Sequence, residues 1–322
     1  KQDEKNALYI YQLEAGKHTQ TGIFTCASVE DYDNDVILKH ELTRPDKEDD
    51  RTRHILTQQA HAEPVMLTFR DTEDISFHIE KVTVTSPPFI EHQGEDGVIH
   101  RIWKVFSTVD IVAGFSKIEH LYIADGHHRC KAASRAAHEL REEGNTFPGE
   151  SEFDYFPVVL FPMDQMRILP YNRVVKNVDA ETFEAMRREY NIEKTDQKSP
   201  TRKSDVCIYY DSDWWLLSLP ESDSKTVVST LDAARLQDFI LKPFFNIENP
   251  RTDKNIDFVG GIRGTDELEK RVQEGEFDLA FSMYPTSIQE LIDVSDQGEL
   301  MPPKSTWFEP KLADGLVTHL LA

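Results

Sequence analysis

The order of hydrophobic and polar positions along the chain predicts a succession of short strands and helices. Near the start, Ala7–Leu13 and Thr21–Val29 alternate between the two classes and are rich in β-forming residues. Because Glu14–Lys17 between them supplies turn residues, the two runs predict a β-hairpin. A helix is predicted from Asp46 to Ala60, since Pro45 stands where a first helical turn begins.

The rest of the first half predicts buried strands around one long helix. Strands are predicted at Val65–Phe69, Ile99–Val105, His120–Ala124 and Asp154–Phe161. The segment between the first two of these strands predicts loops, with room for a further strand. The alanine-rich run Cys130–Glu143 predicts a helix that ends at Gly144, because glycine commonly follows the last helical residue.

The second half repeats the alternation of strands and helices. The predicted helices are 180–190, 232–240, 266–274 and 287–294, and the predicted strands are 205–210, 214–219, 256–260 and 279–283. This order predicts an α/β (α+β) fold with mixed sheets. A chain of 322 residues is long for one core, so we expect two domains, residues 1–165 and 166–322.

Composition and charge exclude some classes of protein. The chain carries 36 Lys and Arg against 58 Asp and Glu, a formal charge of −22, which argues against general nucleic-acid binding. A nucleotide is still compatible with this charge, because a few amides and cations suffice to hold its phosphates. Without a long apolar run or a signal peptide, the sequence predicts a cytoplasmic protein with no membrane partner. The start at Lys1, without a Met, favours a segment that precedes it.

Five consecutive residues have the composition of an anion-binding turn between a strand and a helix. A helix N-terminus leaves N–H groups without partners and carries partial positive charge. Gly126 lets the backbone approach a phosphate, while His127, His128 and Arg129 offer further donors. Asp125 suits a divalent cation or the orientation of a histidine. The alternative is that Asp125 is an N-cap and the two histidines are surface residues.

Three further segments have residues suited to chemistry, each with an ordinary structural alternative. Glu41, after His40 and ahead of a predicted helix, suits a general base, and a solvated glutamate is the alternative. The loop Met301–Thr306 suits a phosphate or a carboxylate, or is a Pro-rich connection. The loop Leu169–Arg173 offers a ring and a guanidinium to a small polar ligand, or packs. The chain lacks the P-loop, Rossmann and α/β-hydrolase motifs, so those chemistries are not indicated.

Four motifs together resemble the bacterial family known as domain of unknown function 1015. They are Tyr122–Arg129, Phe258–Gly264, Phe277–Ser282 and Met301–Lys311. They occur in the order of the family, and the resemblance covers essentially the whole chain. The family is in turn similar to the archaeal ADP-dependent and bacterial ATP-dependent free serine kinases. Those kinases share a His-Glu ahead of a helix, the Asp-Gly-His-His-Arg turn and a Pro-Lys loop followed by hydroxyl residues.

The similarity to the kinases implies a ParB/sulfiredoxin-like first domain that binds nucleotide, and a second α/β domain that binds substrate. It implies that Glu41 is the catalytic base, with His40 and Asp125 beside it and free L-serine between the two domains. Nucleotide phosphates are expected at residues 126–129, with Mg²⁺ near Asp125 and ATP or ADP as the phosphoryl donor. The implied substrate-binding residues are Tyr171, Arg173, Lys304, Ser305 and Thr306.

These observations support two main hypotheses of function. The first is a kinase that phosphorylates free L-serine or a similar hydroxyl metabolite, giving O-phosphoserine. The second is a nucleotide-binding switch or sensor with a ParB-like domain and no kinase activity, and a scaffold with a vestigial site is a third. Only the kinase needs a general base, so Glu41 is the residue that separates the hypotheses.

Overall fold

The computed structural model of the protein describes residues 7–144 and 146–321. These residues divide into two compact units. The first unit consists of the described residues up to Arg167 together with those from Pro310 onward, and the second is Ile168–Glu309. The segment that starts at Pro310 thus belongs to the first unit, whereas the sequence interpretation assigns it to the second domain. No described helix is both long and apolar enough to span a membrane.

The first unit contains a long hairpin, short strands and five α-helices within its described residues before Arg167. Its strands are β1 (Leu8–Ala15), β2 (His18–Ser28), β3 (Ile37–Leu38), β4 (Ala60–His61), β5 (Val65–Phe69), β6 (Ile90–Gln93), β7 (Ile99–Val105), β8 (Leu121–Asp125) and β9 (Tyr155–Pro162). Its helices are α1 (Val29–Asp33), α2 (Pro45–Gln58), α3 (Glu73–Thr85), α4 (Val109–Phe115) and α5 (His127–Gly144).

Eight of these strands form one sheet in the order β3-β8-β5-β9-β2-β1-β7-β6. The predicted hairpin is confirmed, because β1 and β2 pair antiparallel from Tyr9 opposite Phe24 to Ala15 opposite His18. Gly16 turns the chain between them with a φ of 62°, a conformation that favours glycine. The two strands at the β3 end of the sheet, β3 and β8, pair parallel. This parallel pair positions the candidate site.

Helix α3 lies where the sequence predicts loops, and that prediction is wrong. The end of the helix, residues 82–85, alternates Val and Thr, which have weak helix propensity because they are branched at Cβ. Burial favours the helix instead, since Ile75 and Ile79, four residues apart on one helix face, both lie in the core. Tertiary packing therefore overrides the local preference. The further strand allowed in this segment is β6.

Helix α5 begins at His127, ahead of Cys130, where the sequence predicts its start. Strand β8 extends to Asp125, so Gly126 alone joins the strand to the helix. The φ of Gly126 is 111°, which a residue with a side chain rarely adopts. The histidines and the arginine of the predicted turn are therefore in the first turn of α5, directly behind a buried strand.

The second unit is organised around a six-stranded sheet in the order β12-β14-β13-β16-β11-β15, and its two remaining strands, β10 and β17, pair with each other. Its strands are β10 (Ile168–Leu169), β11 (Tyr171–Val175), β12 (Glu193–Lys194), β13 (Asp205–Tyr210), β14 (Asp213–Ser218), β15 (Ile256–Gly260), β16 (Leu279–Met283) and β17 (Trp307–Phe308). Its helices are α6 (Ala180–Glu189), α7 (Asp232–Leu236), α8 (Lys242–Phe245), α9 (Gly264–Gln273) and α10 (Ile288–Asp296). The last strand of the chain, β18 (His319–Leu320), pairs with β4 in the first unit.

The mixed α/β fold is confirmed, with two local corrections. The helix predicted at 232–240 is interrupted, because a π-helical turn at Gln237–Leu241 joins α7 to α8. The loop predicted at Leu169–Arg173 is wrong in its second part, because β11 begins at Tyr171 and pairs with β15 and β16 on its two sides. Arg173 is therefore a residue of an interior strand. The ParB/sulfiredoxin-like assignment of the first domain stays a prediction.

Candidate functional site

The parallel pair β3 and β8 brings together two segments that are far apart in sequence. Ile37 pairs with Leu121 and Leu38 with Tyr122, and both strands end within a few residues. Because the carboxyl ends of parallel strands lie at the same edge of a sheet, the residues after β3 lie beside the start of α5. His40 and Glu41 are thus close to the Asp-Gly-His-His-Arg segment, as the kinase hypothesis requires.

His40, Glu41 and His127 form a compact cluster at this edge. One nitrogen or carboxylate oxygen from each of the three side chains lies within 4.8 Å of the other two. The two imidazole rings meet edge to face, with ring centroids 4.4 Å apart. The backbone N–H of His40 donates a long hydrogen bond of 3.4 Å to Nε2 of His127. A carboxylate and two imidazoles therefore converge on one point.

Burial determines the protonation of the two histidines. His40 is 1% exposed and His127 is 7% exposed. Desolvation lowers the pKa of His40 to about 4, although the nearby charge of Asp125 acts in the opposite direction. Desolvation also lowers the pKa of His127 well below its usual range, and neighbouring His40 and His128 lower it further. Both rings are neutral at neutral pH, so each has one unprotonated nitrogen, which in His127 is the Nε2 that accepts from the His40 N–H.

His40 has a buried side chain whose polar atoms have no partner. Neither Nδ1 nor Nε2 of its ring makes a hydrogen bond of normal geometry to a described residue, although the backbone of Ile123 lies near enough to raise the pKa of the ring. Buried polar atoms are nearly always hydrogen-bonded, because an unpaired one costs about 1–3 kcal/mol. An exception at the end of a strand, beside a carboxylate and a second imidazole, indicates a site that a ligand completes.

Asp125 and Arg129 are paired with each other at the start of α5. Arg129 Nη2 donates to Asp125 Oδ2 at 2.8 Å, and its Nη1 donates to the carbonyl oxygen of Pro64. Lys311 Nζ lies 3.5 Å from the other oxygen of Asp125. A Cβ atom on Gly126 would lie 3.1 Å from Nε of Arg129, so the glycine makes room for the guanidinium. The Asp125 carboxylate is thus shared between two cations.

His128 contacts the segment that leads into α2. Its Nε2 accepts a hydrogen bond of 3.0 Å from the backbone N–H of Arg44, the residue before that helix. The side chain of Arg44 makes no capping hydrogen bond there. The predicted phosphate contact of His128 stays a prediction, and in this structure its ring links α5 to the start of α2.

The predicted substrate residues of the second unit lie together around an aromatic cluster. The ring of Tyr171 meets the ring of Trp307 edge to face, with centroids 5.0 Å apart. Lys304 Nζ lies 5.4 Å from the centroid of the Tyr171 ring, a cation–π geometry. A Cβ atom on Gly260 would come within 2.6 Å of the Trp307 ring, so this glycine permits the packing. Thr306, between Ser305 and Trp307, is half-buried.

Arg173 and Ser305 are buried and satisfied by carbonyl groups. Arg173 is 4% exposed and donates to the carbonyl oxygens of Tyr171 and Lys304, the second at 3.2 Å. Burial lowers the pKa of Arg173 to about 10, which leaves it charged at neutral pH. The hydroxyl of Ser305 donates to the carbonyl oxygen of Pro302 at 2.7 Å. These two side chains shape the loop around Lys304, and their predicted contacts with substrate stay predictions.

A family model identifies the group of proteins to which the chain is related. The model for the protein family of unknown function DUF1015 matches residues 1–234. The chain belongs to the DUF1015 family. The resemblance seen in the sequence is confirmed, although only the first of its four motifs lies within the matched residues.

Solved structures that are similar to this DUF1015 protein share little sequence identity with it. A free serine kinase in complex with AMP is 13% identical over 90% of this chain and 90% of that chain, with a TM-score of 0.44. A mutant free serine kinase in complex with ADP is 12% identical over 92% of each chain, with a TM-score of 0.44. SbnI from Staphylococcus aureus, truncated at its C-terminus, is 13% identical over 90% of this chain and 85% of that chain, with a TM-score of 0.46. No curated protein matches the sequence.

Sequence reasoning missed three residues that hold the site of this DUF1015 protein. Pro64 and Arg44 contribute only backbone groups, which leave no signal in residue type. Lys311 is different, because it is the last residue of the fourth motif and a charged side chain. Its place at the end of that motif could have indicated that Lys311 belongs to the site. The fourth motif therefore contributes to both units, through Lys304 in the second and Lys311 in the first.

Proposed function

We propose that this DUF1015 protein is a small-molecule kinase that transfers a phosphoryl group from a nucleotide to the hydroxyl of free L-serine or a similar metabolite. The observation that supports it is the place of Glu41, beside the first turn of α5 and against His127. The carboxylate predicted as a base and the helix start predicted as an anion site are far apart in sequence and adjacent in the fold.

The N-terminus of α5 suits nucleotide phosphates. The helix spans 18 residues and starts directly after Gly126, so its first N–H groups and its dipole point toward the edge where Glu41 lies. No acidic side chain occupies its first turn. An anion there is stabilised without competition from a neighbouring carboxylate in that turn. Arg129 would add a charged donor by exchanging part of its pairing with Asp125.

Glu41 supplies the group that a phosphoryl transfer to an alcohol needs. The hydroxyl oxygen forms the new O–P bond as the bond to the nucleoside diphosphate or monophosphate leaving group breaks. The hydroxyl proton passes to the Glu41 carboxylate, which is half-buried and reachable. The ring of His127 lies beside it and is neutral, so it adds no charge next to the carboxylate.

Magnesium at Asp125 does not fit the arrangement of that side chain. Mg²⁺ prefers carboxylate oxygens with free lone pairs, whereas both oxygens of Asp125 face cations. The chemistry that Mg²⁺ supplies with nucleotides, charge neutralisation of the phosphates, is therefore not assigned to Asp125.

The amino-acid substrate is proposed to bind in the second unit, at Tyr171, Arg173, Lys304, Ser305 and Thr306. Lys304 is exposed, and its positive charge suits the carboxylate of an amino acid.

The test is a search for the product with purified full-length protein. Protein, Mg²⁺, L-serine and either ATP or ADP are incubated, and O-phosphoserine is measured by mass spectrometry. Glu41→Gln is expected to lower the rate by about 10²–10⁴-fold, because loss of a general base has effects of that size. Nucleotide affinity of the variant should change less than threefold, roughly, since the amide is nearly isosteric.

The matched control is Glu139→Gln, an exposed glutamate on the same helix α5. Its activity should equal that of the wild type. No product from either nucleotide, together with measurable nucleotide binding, would replace the kinase by the nucleotide-binding switch. Full activity of Glu41→Gln would remove Glu41 as the base.

A further inference from the structure

We infer that His40, Glu41 and His127 form a binding site for a divalent first-row transition-metal ion, with Zn²⁺ as the reference ion. Two imidazoles and one carboxylate offer ligand atoms within 4.8 Å of one another. The inference rests on the geometry of these three side chains. It gives Glu41 a second role, since the carboxylate accepts a hydroxyl proton only when it is not bound to the ion. No other role described above uses the ring nitrogens of His40.

The set of ligands selects the class of ion. Zn–N and Zn–O bonds are about 2.0–2.2 Å long, so donors around one ion lie about 3.4 Å apart. The ligand atoms of the cluster lie within 4.8 Å of one another, so the side chains must move closer by about 1 Å to hold the ion. Imidazole suits zinc, iron, copper and nickel, whereas Mg²⁺ takes oxygen ligands. Three protein ligands leave a position open for water or a substrate oxygen.

The second observation is the state of the His40 ring without a metal. It is almost fully buried and both of its nitrogens lack a hydrogen-bond partner among the described residues. A metal ion that accepts the lone pair of one such nitrogen offsets the free-energy cost of burying it. The 3.4 Å hydrogen bond to Nε2 of His127 is long and weak, so little is lost if that nitrogen turns to a metal.

A second group of histidines in the first unit provides a contrast and a control. The rings of His61 and His319 stack with centroids 6.1 Å apart, and Sγ of Cys26 lies 3.5 Å from Nδ1 of His319. Nε2 of His319 contacts the carbonyl oxygen of Glu152 at 2.9 Å. Both ring nitrogens of His319 are therefore partnered, unlike those of His40. This group is not expected to bind the ion tightly.

The experiment uses full-length protein that has been treated with EDTA and dialysed. Zn²⁺ is titrated by calorimetry, and Co²⁺ is titrated by its d–d absorption, which reports the coordination number. One ion per chain is expected to bind. His40→Phe and Glu41→Gln should each weaken Zn²⁺ affinity by at least ~100-fold, because removal of a ligand exceeds the 10–100-fold effect of an outer-shell partner.

The matched control is His319→Phe, which should bind Zn²⁺ like the wild type. Wild-type affinity in Glu41→Gln, a nearly isosteric and half-buried change that should not disturb folding, would overturn the site even if His40→Phe misfolds. Loss of binding in His319→Phe would place the ion elsewhere and overturn it as well. Displacement of Zn²⁺ by a tenfold excess of Mg²⁺ would also contradict the ligand set. The titrations contain neither nucleotide nor serine, so they succeed or fail independently of the kinase assay.

Discussion

Two candidate segments, one in each unit, bury their polar side chains in different ways. In the first unit, the ring of His40 is buried with both nitrogens unpartnered among the described residues. In the second unit, Arg173 is buried and donates to two backbone carbonyls, and the Ser305 hydroxyl donates to a third. A satisfied buried group stabilises the fold, whereas an unsatisfied one costs free energy. Arg173 and Ser305 therefore stabilise the fold, whereas the His40 ring lowers its stability as long as no ligand is bound.

The distribution of histidine sharpens this contrast. All twelve histidines of the chain lie in the part assigned to the first unit, and Ile168–Glu309 contains none. His40 and His61 both have a pKa lowered to about 4 by burial. The first unit therefore carries neutral imidazoles that resist protonation, and the second unit has no group of this kind.

The largest expected effect is acid destabilisation of the first unit. A histidine whose folded pKa is below its unfolded value of about 6.5 binds fewer protons when folded, so stability is full above that pH and falls as the pH falls. The slope is about 1.4 kcal/mol per pH unit for each group. From pH 6.5 to pH 5, His40 and His61 together should therefore remove about 3 kcal/mol, because the full slope is reached only below the unfolded pKa.

Hydrogen exchange followed by mass spectrometry of peptides measures this for each unit separately. Peptides from the core strands of the first unit should lose protection as the pH falls, after correction for the intrinsic exchange rate, and those from the second unit should change little. His61→Phe should remove part of the effect, because His40 and His127 also have lowered pKa values. Equal loss of protection in both units would contradict the assignment of the acid response to buried histidines.

The next effect concerns the satisfied region. Arg173→Ala should lower the free energy of unfolding of the second unit by about 3 kcal/mol, because it removes the donor to two carbonyls and leaves a cavity where the buried side chain was. Urea denaturation with tryptophan fluorescence measures it, since Trp214, Trp215 and Trp307 belong to that unit. If Arg173→Ala were as stable as the wild type, the buried Arg173 would not stabilise the second unit.

The control for that prediction is Arg263→Ala. Arg263 is 60% exposed and lies 3.7 Å from Glu267 in an i,i+4 pair. Exposed pairs of this kind contribute about 0–1 kcal/mol, so the change should be small. A large effect at Arg263 would mean that the loss of any cation destabilises this acidic protein, and burial of Arg173 would not be the reason.

Much of the fold follows from local sequence patterns, and the failures have physical causes. The hairpin β1–β2 matches its prediction because apolar alternation and turn residues agree there, and the strands β5, β13, β15 and β16 match because each is a short run rich in apolar residues. Helix α3 does not, because its Val–Thr ending favours a strand, whereas Ile75 and Ile79 bury one helix face in the core. Interior strand β11 was hidden by the Pro-Tyr-Asn sequence, which is typical of a turn.

The candidate site was predictable in its residue types and unpredictable in its contacts. Glycine, histidine and arginine after a buried strand indicate an anion site from sequence alone. The approach of His40 and Glu41 depends on the two-residue strand β3, which is too short to leave a periodic signal. The pairing of Arg129 with Asp125 and Pro64 likewise depends on long-range packing. The sequence therefore predicts which residue types form the site, whereas their arrangement follows from the parallel pairing of β3 with β8.

The smallest expected effect is the change in stability when His40 is replaced, and it tests directly whether the ring is unsatisfied. Replacement of His40 by an aromatic ring of similar shape, His40→Phe, removes two buried nitrogens that have no partner. In EDTA the variant should be as stable as the wild type or about 1 kcal/mol more stable, because no hydrogen bond is lost and a desolvation cost disappears. The matched change in the second unit is Asn172→Leu, which removes an amide oxygen that accepts the Met283 N–H at 2.9 Å. That variant should lose about 1–3 kcal/mol.

Thermal or urea unfolding of both variants, with and without Zn²⁺, completes the argument. Added Zn²⁺ should stabilise the wild type in proportion to the logarithm of its free concentration, because an ion that binds only the folded state shifts the equilibrium by mass action. It should leave His40→Phe unchanged. If His40→Phe were instead destabilised in EDTA as strongly as Asn172→Leu, the His40 ring would be part of the satisfied architecture. The contrast between an unsatisfied His40 in the first unit and satisfied polar side chains in the second unit would then be wrong.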